Sequence, residues 1–289
     1  MSFQIITDSC ANLTKEIVKQ YNIEVLPLEY LMNGVSYPIT VDCKEADMKD
    51  FYNQMRAGTV VKTSMVNGEA VRPIFQRILE AGQDILYIGF SSALSGTFQS
   101  VKTMMDNLAG DYPERKCIAM DSLAASMGEG LLVTYAAILQ KEGKTIDAVA
   151  EWLEANKMRM QHLFTVDDLK YLRRGGRISG ATALIGSVLQ IKPLMHVDST
   201  GHLVAYGKVR GRKNSIKATL NRMAELIENP KEQMIYIVHG DCPDETAEIV
   251  KEIKSRFGPK SVTINFVDQV IGAHSGPGTL AVFFLGKSR

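Results

Sequence analysis

Apolar and β-branched residues recur in short runs at 3–7 (FQIIT), 84–90 (DILYIGF), 116–120 (KCIAM), 162–166 (HLFTV), 233–239 (QMIYIVH) and 262–267 (VTINFV). Runs of that length without polar alternation predict strands covered on both faces. Between them the apolar positions recur at helical spacing, as in TKEIVKQY, GEAVRPIFQRILEAG, Gly96 to Leu108, TIDAVAEWLEANKM, KNSIKATLNRMAELIE and DETAEIVKEIKSRFG. Strand and helix alternate, which predicts an α/β fold. A chain of 289 residues fits two lobes better than one minimal core. We place their boundary at about residue 160, where a long helical region gives way to HLFTV, so that residues 1–160 and 161–289 form an N-terminal and a C-terminal α/β lobe. In the second, KPLMHVDST and GHLVAYGKV flank a Ser-Thr-Gly turn and read as a hairpin. The run ATALIGSVLQIKPLMHV, with Leu184, Ile185, Val188, Leu189, Ile191, Leu194 and Met195, reads equally as core or as the wall of an apolar tunnel.

Composition narrows the function classes. The chain is 45% hydrophobic and 22% charged, which marks a globular protein able to bury a core. Lys and Arg number 33 against 32 Asp and Glu, so no overall field recruits nucleic acid or an anionic membrane. Cys10, Cys43, Cys117 and Cys242 form no CxxC pair, which argues for reduced thiols and against a zinc ribbon. The first residues lack the basic and apolar regions of a signal peptide, and no apolar stretch approaches about 18 residues. The expectation is a cytoplasmic protein without stable membrane insertion.

Candidate chemistry gathers where strands turn into helices, the position at which α/β sheets bind ligands. TDS (7–9) and DS (121–122) follow strand-like runs, KTSM (62–65) precedes a helix, and SSALSGT (91–97) follows DILYIGF. Single hydroxyls there serve as helix caps. SSALSGT places Ser92, Ser95, Gly96 and Thr97 in one turn, more than a cap requires, and predicts a polar pocket for a carboxylate or phosphate. The motifs GxxxxGK[ST], GxGxxG and GxSxG are absent. Ser95 with His274 remains available as a hydrolase dyad, although no orienting acid can be named. YLRRGGRISG carries Arg173, Arg174 and Arg177, and KVRGRKNSIK carries Arg210, Arg212 and three lysines. Both segments read as solvated surface or as sites for a phosphate or an acidic partner. His274, in IGAHSGPGTLAVFF, has no ligand-type neighbour at metal spacing, so no metal site is expected. Its flanking glycines predict a tight loop.

Taken in order, TDS, KTS, SSALSGT, DS, YLRRGGRI, IKP at 191–193 and GAHSGPG at 272–278 resemble the DegV family over essentially the whole chain. That resemblance implies a bacterial fatty-acid-binding protein, with an acyl chain buried between two α/β lobes and no catalytic residue or cofactor. By motif, Thr63, Ser95 and His274 would hold the carboxylate, and Arg210 would help hold its charge. Ser64, Ser92, Gly96 and Thr97 would shape the pocket. Some members are similar to the acyl-carrying subunit of bacterial fatty acid kinase, which implies a separate ATP-binding kinase subunit as partner, docked on Arg173, Arg174 and Arg177. The alternative is a Ser/His acyl-ester hydrolase.

Overall fold

The structure, a computed structural model, describes residues 2–178 and 190–289. Its first part comprises β1 (Phe3–Asp8), α1 (Lys15–Tyr21), β2 (Glu24–Leu26), β3 (Glu29–Met32), β4 (Val35–Pro38), α2 (Glu45–Arg56) and β5 (Lys62–Ser64). These are followed by α3 (Gly68–Glu80), β6 (Asp84–Gly89), α4 (Thr97–Ala109), β7 (Cys117–Asp121), α5 (Met127–Lys141) and α6 (Ile146–Asn156). The remainder comprises β8 (Met160–Thr165), α7 (Lys170–Arg174), β9 (Ile191–Val197), β10 (Leu203–Arg210), α8 (Arg212–Leu226) and β11 (Met234–His239). It closes with α9 (Pro243–Phe257), β12 (Ser261–Phe266), α10 (Gln269–Ser275) and β13 (Leu280–Leu285).

The fold is mixed α/β. Strands β2-β1-β6-β7 form a parallel sheet, and its strand order turns back between β1 and β6. The C-terminal ends of those two strands deliver TDS and SSALSGT to one edge, the crevice position expected of such sheets. A second sheet runs β10-β9-β8-β13-β11-β12, antiparallel except for β11 and β12. The expected hairpin is β9 and β10. A small antiparallel sheet, β4-β3-β5, takes in KTS, for which the sequence shows only that a helix follows. Three-residue strands of polar residues carry no period to read. Of the apolar run before β9, Leu184, Ile185, Val188 and Leu189 lie outside the described residues, whereas Leu194 and Met195 are core.

Helix α5 ties the two larger sheets together. Its residues Leu131, Leu132 and Val133 are fully buried in one cluster with Ile5 and Leu86 of the first sheet and Phe164 and Phe283 of the second. A helix apolar on every side has no amphipathic stripe, which is why its spacing did not announce it. Two of its polar side chains are held from the sheets: Thr7 Oγ1 donates to Glu129 Oε1 at 2.9 Å, leaving Glu129 Oε2 buried without a partner, and Tyr236 Oη donates to Thr134 Oγ1 at 2.9 Å. Side-chain caps fix the starts of α1 and α6 locally, with Thr14 accepting from Ile17 N and Thr145 from Ala148 N.

Candidate functional site

His274 occupies the last turn of α10, a helix where the glycines had predicted a loop. The cause lies at the other end of that helix, where Asp268 accepts from Val270 N at 2.6 Å and Ile271 N at 2.9 Å. Those bonds satisfy first-turn N–H groups that an uncapped seven-residue helix would leave bare. Asn12 of the first sheet's edge donates to the other Asp268 oxygen and accepts from Ser126 Oγ, so the cap is braced from across the cleft. Burial pushes the Asp268 carboxyl up to about 6.

The imidazole reaches across to β5, where Thr63 Oγ1 lies 2.9 Å from His274 Nε2. On its other side Gly175 backs the ring: a Cβ there would stand 2.1 Å from Nδ1, so only glycine permits the approach. Nδ1 is buried without a partner. Burial, then Arg177 and Arg174, pushes the His274 pKa down to about 4, so the imidazole is neutral at pH 7. A neutral ring bonded only to a threonine hydroxyl has no acid behind it to orient it or draw off a proton.

These groups line one end of a cavity of about 290 Å³ between the two larger sheets. Thr63, Ser64, Ser95, Gly96, Arg177 and His274 gather at that end. Phe90, Leu94, Phe164, Val238, Ala281 and Phe283 are among the apolar side chains that dominate the rest, with Ser126, His162, Ser275 and Thr279 as further polar residues in the lining. A cluster of hydroxyls, an imidazole and a guanidinium at one end of a mainly apolar cavity suits an amphiphile with a single charged group.

The remaining expected site residues divide. Ser95 Oγ pairs with Thr97 Oγ1 at 2.9 Å, and Thr97 Oγ1 accepts from Val66 N, which shapes the turn from below the cavity. Ser92 is exposed, and its N–H donates to Asp121. Arg210 does not line the cavity: the hairpin register sets it opposite Ile191 at the end of β10, where it is exposed. Arg177 is the arginine at the polar end, its Nε donating to Leu94 O at 3.2 Å. Arg173 and Arg174 are exposed on α7. Asp8, from TDS, is buried and accepts from Cys10 N and Phe90 N, tying β1 to β6. Sequence reasoning missed Met65 and His162, which also line the cavity; nothing in an isolated Met or a strand His signals it.

Among the described residues no group of three His, Cys, Asp or Glu is placed to hold a metal ion, and no helix is long and apolar enough to cross a membrane.

A family model described as "Uncharacterised protein, DegV family" matches residues 2–287. The chain belongs to the DegV family. DegV domain-containing protein CPE0026 of Clostridium perfringens is 42% identical over 287 residues, covering 99% of this chain and 98% of that one. Among solved structures, a DegV family protein from Thermus thermophilus, described by its fatty acid binding, superposes with a TM-score of 0.90 at 27% identity, covering 99% of this chain and 100% of that one. TM841 from Thermotoga maritima, described as revealing a fatty acid binding function, superposes with a TM-score of 0.86 at 26% identity over 99% of both chains. The DegV fold therefore extends over the whole of this family member.

Proposed function

We propose that this DegV protein binds a long-chain fatty acid, with the carboxylate at Thr63, Ser95 and His274 and the tail along the apolar walls. The observation that carries the reading is the cavity itself, mainly apolar in its lining, with Thr63, Ser64, Ser95, Arg177 and His274 brought together in it. The fatty-acid binding described for its structural neighbours supports it. Burying an ionised carboxylate costs several kcal/mol unless charge-assisted hydrogen bonds replace its water. Thr63 and Ser95 supply hydroxyl donors, His274 Nε2 a ring donor, and Arg177 the positive charge that this reading transfers from Arg210. Each methylene buried in the tail contributes about 0.8 kcal/mol, so the tail dominates affinity and the head group fixes orientation.

In this reading the protein is a carrier that performs no chemistry of its own. Ser95 bonds Thr97 and His274 bonds Thr63, so neither side chain of the hydrolase alternative has the other as partner. The exposed Arg173 and Arg174 stand a few residues from Arg177 at the polar end, and we assign them to docking a separate ATP-binding fatty acid kinase subunit that phosphorylates the presented carboxylate. We also propose the division into lobes 1–160 and 161–289, which is supported to within one residue by the strands of the two larger sheets, at 3–121 and 160–285. Mass spectrometry of the denatured protein, purified from a cytoplasmic extract and incubated with palmitate, is the direct test. Recovery of a stoichiometric acyl chain is expected; recovery of none sinks the proposal.

A further inference from the structure

Along β8 and β13 the cavity ends at a histidine, beside which its lining reaches Val197 of β9 and Leu203 of β10. From the polar end, the antiparallel pair β8 and β13 presents Phe164 opposite Ala281 and then His162 opposite Phe283, all four lining the cavity. At about 3.4 Å per residue, His162 lies roughly 7 Å beyond Phe164. The next residues on that face, Met160 and Leu285, belong to the core and do not line the cavity.

His162 is 1% exposed and fixed from both sides of the cleft. Its Nε2 accepts from Ala125 N at 3.1 Å, and its Nδ1 donates to Met160 O at 3.1 Å. Its ring stands edge-on to Phe283, with centroids 5.5 Å apart at 88°. The start of α5 closes over it at Gly128, where a Cβ would meet Nε2 at 2.1 Å. Ser126 beside it adopts φ 55, ψ −145, a strained conformation for a residue with a side chain, and is held by its bond to Asn12. With both nitrogens satisfied by protein, the ring offers a tail only its carbon atoms. A ring locked by two hydrogen bonds and a perpendicular aromatic cannot swing aside as a methionine or leucine would.

We propose that His162 is the stop at the tail end of the cavity and sets the longest acyl chain this protein takes, an inference that rests on the fatty-acid reading above. Chains that end short of the imidazole gain affinity with each methylene; a chain that reaches it gains no more.

The test is a series of dissociation constants for saturated acids from dodecanoic to eicosanoic, measured on the full chain by displacement of a fluorescent fatty acid. In wild type, affinity should climb roughly fourfold per methylene and then break off at one length. His162→Ala should move the break to a longer acid. That variant also strips Ala125 N–H of its acceptor, so Val197→Phe gives the converse reading. Val197 lines the cavity on β9, two residues along from the Phe164–Met195 pair and thus beside His162, and the larger ring should move the break to a shorter acid. A wild-type series that climbs through eicosanoic acid, or a break unmoved in either folded variant, overturns the stop while leaving fatty-acid binding intact. Wild type that binds no acid at all overturns both.

Discussion

The two ends of the cavity are built by different means. At the far end His162, Phe164, Ala281 and Phe283 are interior residues of long paired strands, and backbone ladders set their positions. At the polar end Thr63, Ser95, Arg177 and His274 come from a three-residue strand, a turn, the segment after a five-residue helix and the last turn of a seven-residue helix. Only Thr63 sits in a ladder, opposite Tyr30 in the small sheet; the other three depend on turns, side-chain bonds and caps, above all Thr63 to His274 and Asp268 to the N-terminus of α10. The far end should therefore be costly to alter in stability, and the polar end costly in binding.

The largest effect expected of that contrast is at the far end. Phe283→Ala removes a ring that is 2% exposed in the core shared by both sheets, and should cost about 3–5 kcal/mol of unfolding free energy. Urea titration reads it directly, and a loss below about 1 kcal/mol would mean that the strand end is not a rigid wall. Next in size, Thr63→Ala and His274→Ala should each weaken fatty-acid affinity roughly tenfold to a hundredfold, the range for a hydrogen bond to a charged group. Their melting temperatures should stay near wild type. Equal affinity in both variants would place the carboxylate elsewhere.

A smaller effect separates positioning from contact. Asp268→Ala removes the α10 cap and the partner of Asn12, and should cost about 1–2 kcal/mol of stability together with some affinity, because His274 rides on that helix. Affinity lost as fully as in His274→Ala, with stability unchanged, would refute a purely supporting role for Asp268.

The smallest effect is a proton. Free His274 titrates near 4, held down by burial and two arginines. A bound carboxylate raises that pKa, because the anion favours the charged ring. Binding then takes up a fraction of a proton, and affinity rises as pH falls below the bound-state value of the ring until the fatty acid's own carboxyl protonates, at the ordinary carboxyl value of about 4.3. Without ligand the sign for stability is opposite. A folded pKa below the unfolded one of about 6.5 gives a contribution that is full above the unfolded value and is lost as pH falls through the folded one. Calorimetry in buffers of different ionisation enthalpy measures the uptake, and none in wild type would mean that the carboxylate does not meet His274.

The same contrast explains what could be read in advance. The strand runs at 84–90 and 162–166 were legible because burial on both faces writes itself as continuous apolarity. Helix α5 was not, because burial on all sides erases the stripe that marks a helix. Helix α10 was hidden by its glycines, since its cap depends on Asn12, distant in the chain. Arg177 and Arg210 looked alike as members of basic segments, and only the packing of the turn after α7 against Leu94 set one in the cavity and the other outside it.

Sequence alone determined the α/β class, the seven ordered motifs of the DegV family and the residue types that suit a carboxylate, because periodicity and local motifs are properties of neighbouring positions. Tertiary structure decided which hydroxyl meets His274, which arginine faces the cavity and which strand residues wall it. Each of those is a contact between segments far apart in the chain, fixed by how the two larger sheets close around α5.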